Sequence, residues 1–95
     1  MLTSKERATL RGMANAIDTI FQIGKFGITE NVIKQTDEAL TARELIKLRV
    51  LEGAMLSARE AAEELAQTVN AQVVQVIGTR LILYRPNPEK PVIKL

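Results

Sequence analysis

Thr19-Ile20-Phe21-Gln22-Ile23-Gly24-Lys25-Phe26-Gly27-Ile28-Thr29-Glu30-Asn31-Val32-Ile33 is the stretch from which the fold can be read. Its first five residues are mostly β-branched or aromatic and stop at a glycine, which predicts a strand over 19–23. Its last residues carry the marks of a helix start. Thr29 stands as N-cap, Glu30 places a carboxylate near the positive end of the helix dipole, and Ile28 and Ile33 flank the cap as a hydrophobic staple. Between the two lies the glycine-bounded loop Gly24-Lys25-Phe26-Gly27. Its glycines permit positive φ and the close approach of another molecule. The helix start offers unpaired N–H groups, and Lys25 adds a full charge at the tip. That combination suits a phosphate, although any tight strand-to-helix turn also uses glycine.

Upstream, Thr3-Ser4-Lys5-Glu6 forms a capping box that opens a helix to about Met13, with Leu10, Met13, Ala14 and Ile17 on its apolar side. Arg7 and Arg11, one turn apart, share another side. Downstream, the second helix extends to about Leu40 with Val32, Thr36, Ala39 and Leu40 inward. Residues 44–51 read as a second strand. Ile46, Leu48 and Val50 fall on one face, and Lys47 and Arg49 on the other, a face suited to water or phosphate. Ser57-Ala58-Arg59-Glu60 is a second capping box. Its helix runs to about Val69, and Ala58, Ala61 and Ala62 on its inner side predict close packing on a sheet. Gln72–Ile77 and Arg80–Tyr84 are two further strands joined by Gly78-Thr79, a pair that predicts a type II′ hairpin. Pro86, Pro88 and Pro91 mark an extended tail outside the core. The fold expected is α/β, a single compact domain over 1–86 in the order α-β-α-β-α-β-β. Its four-stranded mixed sheet is packed with helices, and residues 87–95 form the tail.

With 95 residues, 46% hydrophobic and 25% charged, the chain suits one modest globular core. No apolar run reaches membrane-spanning length, and Met1-Leu2-Thr3-Ser4-Lys5-Glu6-Arg7 lacks the apolar core of a signal peptide. A cytoplasmic location is expected. The sequence has no cysteine and no histidine. That removes disulfides, Ser-His-Asp and Cys-His catalysis and imidazole metal sites. Glu60, Glu63 and Glu64 sit one turn apart or adjacent on an outward helix face, the usual place for solubilising charge. No catalytic residue, metal or cofactor is therefore expected. Net charge is only +2, but it is unevenly spread. Residues 1–36 balance at +2 (Lys5, Arg7, Arg11, Lys25 and Lys34 against Glu6, Asp18 and Glu30), and residues 37–64 at −3. Residues 79–95 balance at +3 (Arg80, Arg85, Lys90 and Lys94 against Glu89). Such a bipolar surface suits a nucleic-acid face opposite a solvated one.

Taken together, residues 24–33, Glu44-Leu45-Ile46-Lys47-Leu48-Arg49-Val50, Val74-Gln75-Val76-Ile77-Gly78 and Leu81-Ile82-Leu83-Tyr84-Arg85-Pro86 resemble a CRM domain, the chloroplast RNA splicing and ribosome maturation module, in its stand-alone bacterial YhbY-like form. The resemblance spans roughly residues 2–86. It implies a fold similar to the C-terminal domain of translation initiation factor three. It also implies RNA binding, associated in bacterial members with precursors of the large ribosomal subunit. The loop Gly24, Lys25, Phe26 and Gly27 is then the expected RNA contact. Its likeness to the GxxG loop of KH domains is one of chemistry rather than topology. One position departs from the pattern. Thr79 stands where similar proteins carry a basic residue, which here follows at Arg80, and a one-residue shift along a strand exchanges the sheet faces.

The function expected is a non-catalytic RNA-binding module, with ribosomal RNA as partner, no membrane or small-molecule substrate, and a monomer as the acting state. Lys25 would meet phosphate with help from backbone N–H groups at Gly27 to Thr29. Phe26 would either stack on an unpaired base or pack inward. Lys47, Arg49, Lys5, Arg7, Arg11 and Arg85 are the supporting cations. The alternative is a protein–protein adaptor acting through the acidic third helix or an edge strand.

Overall fold

The described residues of the computed structural model are 2–93 and 95, so Met1 and Lys94, within the ranges expected for domain and tail, lie outside them. The elements are α1 (Ser4–Ala14), β1 (Thr19–Ile23), α2 (Glu30–Arg43), β2 (Leu45–Val50), α3 (Ala58–Thr68), β3 (Gln72–Ile77) and β4 (Arg80–Tyr84), in the expected order. Local chemistry sets their starts. Thr3 and Glu6 close the first capping box with bonds of 3.1 and 3.0 Å, and Ser57 and Glu60 close the second with 3.1 and 2.9 Å. Thr29 caps α2 by accepting from the Val32 N–H at 3.2 Å. At the hairpin, Gly78 has φ 57° while Thr79 is not among the residues of positive φ, as a type II′ turn requires.

The strands lie in the order β1-β2-β4-β3. β1 pairs parallel with β2, and β4 pairs antiparallel with both β2 and β3. Thus β1, β2 and β3 run one way, and β4 returns between the last two. α2 and α3 cover one face, where Ile23, Ile46, Leu48, Val50, Leu81 and Leu83 meet Leu40, Leu65 and the buried alanines of α3. Each fully buried leucine or isoleucine there contributes about 1.5–3 kcal/mol. The opposite face is covered only in part. α1 sets Leu10 and Ala14 on Leu45, Val74, Ile82 and Tyr84, at the end where β2 and β3 begin and β4 finishes. Beyond Lys47 that face is open.

Two expectations are corrected at the junction of α2 and β2. The helix continues to Arg43, and Glu44 is its C-cap rather than the first strand residue, with φ 66°. Its N–H still bonds the Leu40 carbonyl at 2.9 Å, and its own carbonyl accepts from the Arg85 N–H at 2.9 Å. Its fully buried side chain is the second correction, because it organises the tail. The Glu44 carboxylate accepts from the backbone N–H groups of Asn87 at 2.5 Å and of Val92 and Ile93 at 2.6 Å. The described residues of the tail form no helix or strand, in keeping with its prolines, but residues 87–93 bend around this acid instead of extending away. Ile93 packs against the α1 cluster. Burial pushes the Glu44 carboxyl up, and the three N–H donors outweigh it, leaving the pKa below the ordinary glutamate value.

Candidate nucleic-acid interface

Because β1, β2 and β3 are co-directional and β4 opposes them, four features collect at one end of the sheet. They are the Gly24–Gly27 loop, the β2–α3 connection from Leu51 to Ser57, the Gly78–Thr79 turn and the N-terminus of α2. The Leu51 N–H bonds the Ile23 carbonyl at 2.9 Å and the Val50 N–H bonds the Thr79 carbonyl at 2.7 Å, which ties the three connections together.

Gly24 to Gly27 form a β-turn closed by the Gly27 N–H on the Gly24 carbonyl at 2.9 Å. That N–H is therefore engaged and is not the assisting donor expected of it. Donors free of intrahelical partners lie further on, at Glu30 and Asn31 in the first turn of α2. Only one of the two glycines needs its conformational freedom, since Gly27 has φ 67° and Gly24 is not in the positive region. Lys25 and Phe26 occupy the two central turn positions. Phe26 is 80% exposed, which settles its two readings against inward packing. The Lys25 Nζ lies over its ring, 5.2 Å from the centroid. Such an exposed cation–π contact is worth about 0.5–1 kcal/mol and keeps charge and aromatic surface together.

Arg49 is exposed and Lys47 half-buried, both on the sheet face that α1 leaves open. Their neighbours across the ladder are Gln22 for Arg49 on β1, and Ile82 for Lys47 and Arg80 for Arg49 on β4. This register places Arg80 on the face of Lys47 and Arg49. Reading the chain alone left that position open, because it depends on how many residues the hairpin turn consumes. Two apolar side chains join them at this end. Met55 is 91% exposed in the β2–α3 connection and Ile77 is 54% exposed opposite Arg80. A Cβ placed on Gly27 would lie 3.7 Å from Leu56, which seats that connection against the glycine loop.

The other expected cations have different fates. Lys5 and Arg11 are exposed on α1, toward the far end of the sheet. Arg7 donates to the carbonyls of Val73 and, at 3.3 Å, Val74, where β3 breaks register. Arg85 donates to the Asp37 carboxylate at 2.7 Å, the Val69 carbonyl at 2.8 Å, and the Asp37 carbonyl and Thr41 hydroxyl at 2.9 Å each. Arg7 and Arg85 thus serve the fold, and the structure does not bring them to the loop end. No helix among the described residues is long and apolar enough to cross a membrane.

Residues 2–85 match the CRS1 / YhbY (CRM) domain family. The chain belongs to that family. A Bacillus subtilis relative carrying the name Probable RNA-binding protein YqeI is 43% identical over 95 residues, covering 100% of this chain and 99% of its own. A relative from Haemophilus influenzae named RNA-binding protein is 32% identical, over 93% of this chain and 89% of its own. Among solved structures, the solution structure of the hypothetical protein SAV1595 from Staphylococcus aureus, described there as a candidate RNA binding protein, superposes with a TM-score of 0.83 at 47% identity. It covers 100% of this chain and 99% of the other.

Proposed function

We propose that this CRM domain is a non-catalytic module that binds structured RNA, and that its partner is ribosomal RNA in precursors of the large subunit. One observation carries the reading. Lys25 and Arg49 at the loop end of the sheet, beside an outward Phe26, and Lys47 further along the same strand face as Arg49 stand without an acidic partner among the described residues. Unpaired cations meet phosphates, and an exposed ring gives an unpaired base a stacking surface worth about 1–3 kcal/mol. Lys5 and Arg11 extend the basic surface along α1. Thr29 acts indirectly, by holding the start of α2 with its free N–H groups toward the loop.

The test is RNA affinity against salt concentration for wild type and Lys25→Ala, with a large-subunit ribosomal RNA fragment and a DNA duplex of equal length as control. Wild type is expected to prefer the RNA. The substitution is expected to weaken binding about tenfold and to flatten the salt slope by about one unit. Binding that is absent, or untouched by the substitution, overturns the reading and favours the adaptor alternative.

A further inference from the structure

We propose that Arg49 and Arg80 form a two-strand clamp for a single phosphate of the bound RNA backbone, on the open face of the sheet. This rests on the RNA-binding reading above and adds a site at Arg80. Arg49 of β2 and Arg80 of β4 are direct partners in an antiparallel ladder. Side chains so placed leave the sheet on the same side with Cβ atoms about 4.5–5.5 Å apart, and like charges there are destabilising. No ion pair among the described residues relieves these two arginines. The ion pairs among the described residues are Arg59–Glu63 and Arg85–Asp37, and neither involves these arginines. Along the cross-sheet row the outer neighbours are Gln22 and Ile77, so the row contains no carboxylate.

An external anion resolves the conflict. The guanidinium is a planar fork matched to phosphate oxygens, and two forks converging from adjacent strands can hold one phosphate from both sides. Both side chains are exposed, and α1 covers only the far end of this face. Gly24 begins two residues past Gln22, about 7 Å along the strand, so one backbone segment reaches both Lys25 and the clamp. The row places Ile77, 54% exposed, at the other end, where it offers apolar surface to a sugar or base.

The experiment uses the full chain as wild type, Arg49→Ala, Arg80→Ala, the double variant and Arg80→Lys. Affinity for the ribosomal RNA fragment is measured at several salt concentrations, and melting temperature with and without inorganic phosphate. Each alanine variant is expected to lose about tenfold in affinity and about one unit of salt slope. The double variant should lose little more than either single one, because the phosphate is shared. Arg80→Lys should keep the slope while losing part of the affinity. Without ligand, Arg80→Ala should melt at or above the wild-type temperature, since a like-charge pair is relieved. If Arg80→Ala binds as wild type while Lys25→Ala is weakened, the clamp is wrong and the RNA-binding reading stands. Losses that multiply in the double variant mean two separate contacts and also overturn it. A phosphate-dependent rise in melting temperature that Arg80→Ala abolishes, with RNA affinity unchanged, assigns the site to a free anion instead. Wild type that binds no RNA removes both proposals.

Discussion

The two ends of the sheet treat charge in opposite ways. At the end where β4 finishes, Arg85 and Glu44 are consumed by the protein. The guanidinium meets partners from α2 and the residue after α3, and the buried carboxylate takes three N–H groups of the tail. At the end where β4 begins, Lys25, Arg49 and Arg80 have no acidic partner among the described residues, and Phe26, Met55 and Ile77 lie exposed. Residue type alone therefore does not identify a contact surface. Arg85 and Arg80 sit on or beside the same strand, and the partners within reach decide between structure and binding. If this division is correct, removing a charged side chain at the first end reduces stability and leaves RNA affinity alone, whereas removing one at the second does the reverse.

The largest stability effect is expected at Glu44. Glu44→Ala removes the acceptor of three tail N–H groups, and bonds to a charged group contribute about 1.5–3 kcal/mol each. The released tail can rehydrate, so a net loss of about 3 kcal/mol is expected from chemical denaturation, with the tail becoming the first site of limited proteolysis. The acid limb of stability carries the same signature. With a folded pKa below the ordinary glutamate value, Glu44 stabilises fully above that ordinary value and loses its contribution as pH falls through the lowered one. Glu44→Ala should flatten this part of the limb. A variant with wild-type stability, tail protection and acid limb would show that the tail is not held by this acid.

Next in size is Arg85→Ala. Its side chain is 21% exposed, and its partners include the Val69 carbonyl at the end of α3 and the Asp37 carboxylate. A loss of about 2 kcal/mol in denaturation, with RNA affinity within twofold of wild type, is the expected outcome. A clear fall in affinity at wild-type stability would return Arg85 to the interface and dissolve the contrast with Arg80.

What could be read in the chain divides along similar lines. Capping boxes, the Thr29 cap, the hairpin and the alternation of β2 were legible because their partners lie within a few residues or follow the strand period. So was the placing of Gly24 to Thr29, Lys47 and Arg49 on one loop and one strand face. The structural partners of Arg7 and Arg85, read in the chain only as supporting cations, could not be seen there because their acceptors are remote, 66 residues away for the Val73 carbonyl and 48 for Asp37, and no local pattern marks them. Glu44 was hidden for the same reason, and its positive φ is unusual for a glutamate. Arg80 lay between these cases, since its face depends on a two-residue turn that local chemistry suggests but only the β4 register fixes.

The smallest and sharpest effect separates the two glycines of the loop. Gly27 has φ 67°, and a Cβ there meets Leu56 at an ordinary 3.7 Å, so Gly27→Ala costs backbone strain of about 1–2 kcal/mol with no clash. Gly24 is outside the positive region, and a Cβ there meets nothing within 4 Å. Gly24→Ala should therefore leave the unfolding midpoint within a few tenths of a kcal/mol of wild type, or raise it slightly by stiffening the unfolded chain. Any fall in RNA affinity in Gly24→Ala is then a direct reading of how closely the backbone of the partner approaches, because the protein itself has room for the methyl group. Equal affinity in both would mean that RNA meets the loop through Lys25 and Phe26 alone, with the turn serving only to present them.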